Sequence, residues 1–330
     1  MLSFDGQVVL ITGAGRGIGR QHALFLAGRG AKVVVNDYGG GLRGENGNNP
    51  GPADEVVSEI RAAGGTALAA CADIGDAGQV QRMIETAIAH FGRLDALIHN
   101  ASVYAPLGSF DEARAEDLER ILRVNVTGGW NVAQAAWRQM HAQGYGRIVM
   151  TGSGAGLFGR RRDQAYSVAK SALIGLTKVL ATEGESLGIK VNLVGPVAWT
   201  DNSGAQGMPS LMAGFAAPQQ VTDLVTVLVH ADCPVNGEMF HCGAGFVARV
   251  FIGETQGTVF AQGTMSPEAV LDGMGQVMEP AGYSIPANSD RSGAHLSAAI
   301  ASANPEFAAA LAAAKKGRAR RPGPGDAQST

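Results

Sequence analysis

The sequence contains little cysteine, few aromatic residues and no long hydrophobic run. Its three cysteines, Cys71, Cys233 and Cys242, form no CxxC pair and have no histidines at zinc-ligand spacing, so we expect reduced thiols, no disulfide and no metal. No stretch approaches the roughly 20 apolar residues of a membrane-spanning helix, and the first residues lack the features of a signal peptide. We therefore expect a cytoplasmic protein with no membrane partner.

The chain also lacks a strong charge of either sign. It has 26 basic and 29 acidic residues and a net charge of −3, which gives no general attraction to nucleic acid. The short basic run RARR, 318–321, is interpreted as a solvated terminus rather than a nucleic-acid contact. With 330 residues, 45% of them hydrophobic, the chain is long enough for one α/β domain with an extension.

Glycine is abundant, and one cluster of it follows a short apolar run. The sequence QVVLIT, 7–12, predicts a buried strand, and TGAGRGIG, 12–19, leads into a helical pattern. Gly13, Gly17 and Gly19 would let the backbone approach a pyrophosphate, which the N–H groups at the start of the helix can bind. This strand, turn and helix predict a dinucleotide-binding site.

A second strand, KVVVND at 32–37, places Asp37 at its carboxyl end. A carboxylate there accepts hydrogen bonds from the adenosine ribose and repels a 2′-phosphate, which favours NAD over NADP. Two alternatives remain: Asp37 only starts a turn, or Arg16 and Arg43 pair with a 2′-phosphate. The Gly/Asn/Pro-rich loop 38–52 is expected over the adenosine end.

Strand and helix patterns alternate along the rest of the chain. Further strands are predicted at 66–70, 94–98, 146–153, 189–194 and 238–241, followed by a hairpin over 247–260 that turns at 254–257. The helical stretch 113–140 is interrupted around 125–128. The predicted fold class is α/β, a doubly wound parallel sheet of Rossmann type with a C-terminal helical extension, and the ligand at the carboxyl ends of the strands.

The composition changes after residue 261, which predicts three regions. Residues 1–261 form the dinucleotide-binding catalytic domain, and 262–316 form a helical extension with a helix start at Ser266. Residues 317–330, rich in Arg, Pro and Gly, are expected to be disordered.

Tyr166 and Lys170 lie four residues apart in the helical stretch DQAYSVAKSALIG, 163–175. Their side chains therefore leave the same face of a helix. A nearby ammonium favours the phenolate, so we expect a lowered pKa for Tyr166 and a role in proton transfer. Alternatively, the pair is a chance feature of a solvated face. Ser153, at the end of a predicted strand, supports the catalytic interpretation.

Several motifs together resemble the short-chain dehydrogenase/reductase family: TGAGRGIG at 12–19, HNAS at 99–102, Asn125, Ser153, and YSVAK at 166–170. The resemblance covers about residues 5–255. Within the family, the stretches VVVNDYGG, 33–40, and NGEMFHCGAGFVARV, 236–250, are similar to the dehydrogenase part of the type-2 peroxisomal multifunctional enzymes, whose bacterial relatives are hydroxyacyl-CoA and 17β-hydroxysteroid dehydrogenases.

The resemblance implies a role for each matching residue. Tyr166 would be the general acid/base, and Lys170 would lower its pKa and hold the nicotinamide ribose. Ser153 would bind the substrate oxygen, and Asn125 would hold a water that relays protons to Lys170. The implied cofactor contacts, besides Tyr166 and Lys170, are Gly13, Arg16, Gly17, Ile18, Gly19, Asp37, Asp73, Ile74, Asn100, Ala101, Pro196 and Thr200.

The sequence departs from the family pattern in two places. The usual Asn-Asn-Ala-Gly is His99-Asn100-Ala101-Ser102, and the usual Pro-Gly after the sixth strand is Gly195-Pro196-Val197. The second departure makes the contacts of Pro196 and Thr200 less secure. His99 is interpreted as a packed, hydrogen-bonded side chain rather than a catalytic base.

These features predict an NAD-dependent oxidoreductase that interconverts a secondary alcohol and a ketone. The apolar segment 197–215 is either a flap over an apolar substrate, such as a 3-hydroxyacyl-CoA or a hydroxysteroid, or a surface loop. Arg160, Arg161 and Arg162 either attract a CoA phosphate or a carboxylate, or are solvated. The resemblance implies a homodimer or homotetramer. The alternative function is a non-catalytic NAD-binding sensor or scaffold.

Overall fold

The structure, a computed structural model, describes residues 1–200 and 208–319. It divides into two compact units, Met1–Val250 and Phe251–Thr330. The first unit therefore ends eleven residues before the boundary predicted at 261, at the end of the last strand of the sheet.

The first unit contains one eight-stranded sheet in the order β3-β2-β1-β4-β5-β6-β7-β8. Strands β1 to β7 are parallel, and β8 pairs antiparallel with β7. From β1 the chain adds β2 and β3 on one side of the sheet, and from β4 it adds β5 to β8 on the other side, as in a doubly wound sheet. The predicted fold class is confirmed. The strands are Val8–Thr12, Lys32–Asn36, Thr66–Ala70, Ala96–His99, Gly146–Thr151, Ile189–Pro196, Met239–Gly243 and Phe246–Val250.

Helices cover both faces of the sheet, because the central strands are buried on both sides and rich in Val, Leu and Ile. In chain order they are α1 Gly17–Ala27, α2 Gly51–Ala62, α3 Ala77–Phe91, α4 Ala115–Ile121, α5 Gly128–Gln143, α6 Gly154–Phe158, α7 Gln164–Gly184 and α8 Pro218–Val229. A π-helix, Leu122–Thr127, joins α4 to α5. The predicted interruption of the long helix is confirmed there.

Local signals in the sequence set the ends of α3. The Asp76 side chain accepts hydrogen bonds from the N–H groups of Gly78 and Gln79, which satisfies two donors of the first turn. Gly92, with φ of 82°, ends the helix in the left-handed conformation. Asp76 and Gly92 therefore fix the bounds of α3.

The hairpin predicted at 254–257 is wrong. The chain turns at Ala244 and Gly245, with φ of 53° and 76°, between β7 and β8. A two-residue turn with two positive φ angles matches the twist of paired strands. Glu254 instead forms a single antiparallel bridge with Ser284 in the second unit.

A buried guanidinium joins loops at the amino edge of the sheet. Arg147, at the start of β5, donates hydrogen bonds to the carbonyl groups of Gly146, Gly188, His230 and Ala231, at 2.8 to 3.2 Å. Its side chain is nearly inaccessible to solvent. We call this set of contacts the Arg147 clamp. It lies at the edge opposite to the glycine turn.

The second unit is helical, with α9 Pro267–Val277, α10 Ser289–Ala303 and α11 Pro305–Ala319. The predicted start of α9 is confirmed, because the Ser266 hydroxyl accepts from the N–H of Ala269. Residues 317–319 of the predicted disordered tail continue α11, and residues 320–330 lie outside the described residues. Among those that are described, no helix is long and apolar enough to cross a membrane, and no group of three or more His, Cys, Asp or Glu could hold a metal ion.

Candidate active site

The glycine turn lies between the end of β1 and the start of α1, at the carboxyl edge of the sheet. Arg16, the residue before α1, provides no side-chain hydrogen bond to the helix, and no acidic residue lies in the first turn. The first N–H groups of α1 are thus not capped by a side chain. They suit an anionic ligand such as a pyrophosphate.

Close approaches of the backbone require glycine at several positions of the turn, among them Gly13 and Gly19. A Cβ on Gly19 would lie 2.2 Å from the carbonyl oxygen of Gly13, and a Cβ on Gly13 would lie 2.6 Å from the Cα of Ala101. The side chain of Asn100 donates to the carbonyl of Gly13 at 2.9 Å and so ties the end of β4 to the turn. The turn therefore fits the diphosphate of a dinucleotide with its backbone rather than with side chains.

A cleft of about 480 Å³ opens beside this turn. Most of the predicted cofactor residues line it: Gly13, Arg16, Gly17, Ile18, Asp37, Asp73, Ile74, Asn100, Ala101 and Thr200. Four of them do not line it: Gly19, Pro196, Tyr166 and Lys170. Gly19 is buried within the turn, and Pro196 ends β6. The structure thus brings ten of the predicted contacts together around one cleft.

Asp37 follows β2 directly and joins two backbone segments of the cleft. Its carboxylate accepts hydrogen bonds from the N–H groups of Gly15 and Gly39, both at 2.8 Å. A carboxylate oxygen has more than one lone pair, so these contacts leave acceptor capacity for a ribose hydroxyl.

At the adjacent wall, Asp73 forms an ion pair with Arg123 and accepts from the N–H of Gly75 at 2.9 Å. The side chain of Ile74 is buried and packs against Gly128. Ile74 therefore lines the cleft mainly with its backbone, and its carbonyl already accepts from Asn131 at 3.0 Å.

The three residues of the predicted proton-transfer group meet at the end of β5. Ser153 is the N-cap residue of α6 and forms a hydrogen bond with the phenol of Tyr166 on α7. The Lys170 ammonium lies 5.6 Å from the centre of the Tyr166 ring and donates to the carbonyl of Thr151 at 2.7 Å. Both Tyr166 and Lys170 are buried, so the interpretation as a solvated face is wrong.

Burial raises the pKa of Tyr166 well above its usual value, and the neighbouring Tyr104 raises it further. The hydrogen bond from Ser153 acts in the opposite direction. The expected lowering of this pKa by Lys170 is thus not found. The main reason is the burial of the phenol itself. Desolvation also lowers the pKa of Lys170, to about 7, which reduces the positive charge that would favour the phenolate.

Asn125 lies within the π-helix, where both polar groups of its side chain form hydrogen bonds with one residue, Val103. The amide oxygen accepts from the N–H of Val103 at 2.8 Å, and the amide nitrogen donates to the carbonyl of Val103 at 3.1 Å. The side chain that was predicted to hold a relay water therefore joins the π-helix to the segment after β4. A π-turn widens the helix and is frequent at functional sites.

Two further residues, Tyr104 and Arg123, line the cleft and are not among the predicted site residues. The Tyr104 ring also stacks on Tyr166. The position of Tyr104, just after the HNAS motif at a strand end, was a usable signal. Arg123 had none, because its place beside Asp73 depends on the π-helix.

The predicted flap falls partly outside the described residues, at 201–207. In the remainder, Ser210–Gly214 form a short 3-10 helix, and Leu211 and Phe215 are exposed. Arg160, Arg161 and Arg162 are also exposed on the turn before α7, with Arg160 3.7 Å from Asp163.

A model of the family described as short chain dehydrogenase matches residues 7–206. The chain belongs to the short-chain dehydrogenase family. It is accordingly an oxidoreductase of a family that uses NAD(P) cofactors, as the resemblance implied. The match covers the glycine turn, both walls of the cleft and the Ser153, Tyr166 and Lys170 group.

Individual relatives agree with this assignment. This short-chain dehydrogenase is 41% identical over 276 residues to a peroxisomal hydratase-dehydrogenase-epimerase of Saccharomyces cerevisiae, covering 82% of this chain and 30% of that protein. It is 34% identical over 255 residues to a 3-oxoacyl-[acyl-carrier-protein] reductase of Synechocystis, covering 75% and 99%. The chain thus spans less than a third of the length of the yeast relative.

A solved structure resembles it as well. The full-length peroxisomal multifunctional enzyme type 2 of Drosophila melanogaster matches with a TM-score of 0.75 and 28% identity, over 91% of this chain and 50% of that one. The narrower resemblance seen in the sequence is confirmed.

Proposed function

We propose that this short-chain dehydrogenase interconverts the 3-hydroxyl and 3-keto groups of an acyl thioester, with NAD as cofactor. The observation that supports it most is the buried group of Ser153, Tyr166 and Lys170 at the carboxyl edge, next to the dinucleotide cleft. The family match gives the type of reaction, whereas the substrate, the cofactor preference and the role of each residue are part of the proposal.

In oxidation the ionised oxygen of Tyr166 accepts the proton of the substrate hydroxyl, and in reduction the phenol donates it back. The Ser153 hydroxyl binds the same substrate oxygen as charge develops on it. A bound nicotinamide would accept the hydride of the carbinol carbon in oxidation and return it in reduction. Because the pKa of Tyr166 is raised, the phenol is protonated at neutral pH. It is then ready to donate its proton to the oxygen of a ketone, so reduction is favoured at neutral pH and oxidation at alkaline pH.

Lys170 is proposed to hold the nicotinamide ribose. Within the described part of the chain, its ammonium has one hydrogen-bond acceptor, the carbonyl of Thr151. An ammonium has three N–H groups, so two are free to donate to ribose hydroxyls or a water.

Asp37 supports NAD over NADP, because its carboxylate at the end of β2 would repel a 2′-phosphate. Arg16 and Arg123 line the same cleft, but Arg123 is paired with Asp73. This pairing reduces the positive charge available to a 2′-phosphate.

The acyl thioester is preferred to a hydroxysteroid for two reasons. A relative that this chain covers almost completely is named for a 3-oxoacyl substrate. In addition, the exposed Arg161 and Arg162 lie between Ser153 and Tyr166 in sequence, where they would attract the phosphates of an acyl carrier.

The deciding experiment measures NADH formation with 3-hydroxyacyl-CoA and with a hydroxysteroid, using wild type and Tyr166→Phe. We expect turnover of the thioester by wild type alone, with NADH binding retained in the variant. Turnover of the steroid alone would contradict the proposed substrate. Turnover of the thioester by Tyr166→Phe at the wild-type rate would contradict the proposed mechanism. A third measurement uses the same acyl group as its N-acetylcysteamine thioester, which lacks phosphates. The wild-type KM for this thioester should be higher than that for the CoA thioester. Arg161→Ala should leave the KM for the N-acetylcysteamine thioester unchanged.

We also propose that the chain forms a homodimer or homotetramer, which light scattering would test. The cytoplasmic location stays a prediction, and the yeast relative is named as peroxisomal. Imaging of the tagged full chain would decide between the two compartments.

A further inference from the structure

His99 ends β4 and is completely buried. Both of its ring nitrogens have partners: Nε2 lies 3.2 Å from the carbonyl oxygen of Asn125, and Nδ1 lies 3.2 Å from the hydroxyl of Thr12. The imidazole thus joins the end of β1 to the π-helix. The family pattern has an asparagine at this position, whose shorter side chain reaches less far.

The partners fix which nitrogen carries the proton. A carbonyl oxygen only accepts, so Nε2 must be the donor to Asn125, and Nδ1 must accept from the Thr12 hydroxyl. The Thr12 oxygen in turn accepts from the N–H groups of Asn100 and Ala101, both at 3.1 Å. Every donor in this network has one acceptor, and a doubly protonated imidazole would break it.

The surroundings keep this imidazole neutral. The pKa of His99 is lowered to about 3, mainly by burial and also by the positive charge of Lys170, against the weaker opposite effect of the Asn125 carbonyl. His99 therefore stays a fixed donor across the physiological range and does not act as a base.

The position of His99 brings it close to the helix that carries Tyr166 and Lys170. A Cβ on Gly129 would lie 2.9 Å from Nε2 of His99 and 3.3 Å from Cδ2 of Leu173, and Leu173 lies one turn after Lys170 on α7. Glycine at 129 therefore makes room for the imidazole between the π-helix and α7.

We infer that His99 is a positioning residue: its Nε2–H fixes the backbone carbonyl of Asn125 in the π-helix, and so sets the polar path by which Lys170 exchanges protons. The carbonyl is the group that matters because the Asn125 side chain is already bound to Val103. The inference rests on the proposed dehydrogenase mechanism and is independent of the substrate.

Two substitutions separate the two contacts of His99. The amide nitrogen of glutamine reaches close to the position of Nε2, so His99→Gln keeps a donor for the Asn125 carbonyl. The shorter amide of His99→Asn lies near the position of Nδ1, so it keeps a partner for Thr12 and loses the bond to Asn125. Both are polar and uncharged, so each serves as the control for the other.

We expect His99→Gln to retain kcat within about threefold, with an unchanged pH profile. His99→Asn should lose about tenfold or more in kcat and show a displaced pH profile, while its Kd for NADH, measured by fluorescence, is unchanged. Equal kcat values for the two variants, or losses that follow the melting temperature alone, would overturn the inference.

A second readout does not depend on turnover. NMR of the side chains should show His99 as the Nε2–H tautomer that does not titrate between about pH 5 and about pH 9. The pKa of Lys170 should be preserved in His99→Gln and changed in His99→Asn. A titrating imidazole, or the same Lys170 pKa in both variants, would refute the role of His99. A wild-type protein that shows these signatures and binds NADH, but oxidises no alcohol, would refute the proposed function instead.

Discussion

Tyr104 stacks on Tyr166, with ring centroids 4.6 Å apart, an angle of 22° between the ring planes, and 3.4 Å between the hydroxyl oxygens. Tyr104 also lines the dinucleotide cleft, and its N–H donates to the carbonyl of Leu42 at 3.0 Å. The loop after β2 is therefore linked through Tyr104 to the proposed proton donor.

Replacing Tyr104 with phenylalanine should lower the pKa of Tyr166, because the Tyr104 hydroxyl raises it by its charge and by its hydrogen bond. The acid limb of the pH profile of kcat/KM for alcohol oxidation should shift to lower pH, by about half a unit or more. Tyr38→Phe, at another wall of the same cleft, is the control and should leave the profile in place. A shift to higher pH in Tyr104→Phe would contradict the arrangement.

Lys170 should make the stability of the fold depend on pH. The pKa of Lys170 is lowered to about 7 in the folded protein, whereas in the unfolded chain it returns to the ordinary value for lysine. Between these values the unfolded chain binds the additional proton, so the folded state gains stability as pH rises through this window.

Relative to Lys170→Met, the wild-type free energy of unfolding should increase by about 2 kcal/mol between pH 7 and pH 9. Below pH 7 the difference should level off. The measurement is urea unfolding of both proteins at each pH. A difference that is constant across the range would show that the buried amine keeps its ordinary pKa.

Asp37→Asn should weaken the preference for NAD. The change removes the negative charge that opposes a 2′-phosphate and keeps an acceptor for one of the two N–H groups at Gly15 and Gly39. The ratio of kcat/KM for NADP to that for NAD should rise about tenfold or more. Asp54→Asn, on the exposed side of α2, provides the control. An unchanged ratio in Asp37→Asn would remove the argument for NAD.

Two glycines near the active site provide a matched pair of alanine substitutions. A Cβ on Gly156 would lie 2.6 Å from the backbone carbon and the Cβ of Lys170, whereas a Cβ on Gly175 would contact nothing within 4 Å. Gly156→Ala should destabilise the protein by about 1–3 kcal/mol and reduce kcat, since Lys170 must move. Gly175→Ala should keep activity and add up to about 1 kcal/mol. Thermal unfolding and NADH formation test both, and similar effects of the two changes would contradict the close packing of α6 on Lys170.

The sequence was sufficient for the fold because the relevant signals are local. Buried strands such as β1 are continuous apolar runs, and the ends of α3 are marked by Asp76 and Gly92. The turn of the hairpin could not be located from the sequence because Ala244 adopts a positive φ, and an alanine does not indicate that conformation. Such a conformation is imposed by the pairing of β7 and β8.

The residues of the proton-transfer group could be predicted from the sequence, but the direction of the pKa shift of Tyr166 could not. The spacing of Tyr166 and Lys170 places them on one face of α7, but it carries no information on burial. Burial raises one pKa and lowers the other, and it depends on segments distant in sequence, including Tyr104. For the same reason the bonds between Asn125 and Val103 were not foreseen.

The Arg147 clamp means that loops far apart in the sequence cannot open one at a time. One guanidinium binds carbonyls at Gly146, Gly188, His230 and Ala231, so releasing any one of these loops weakens the hold on the others. Amide protons around these four positions should consequently exchange with deuterium as a single cooperative unit, at a rate set by the departure of one arginine.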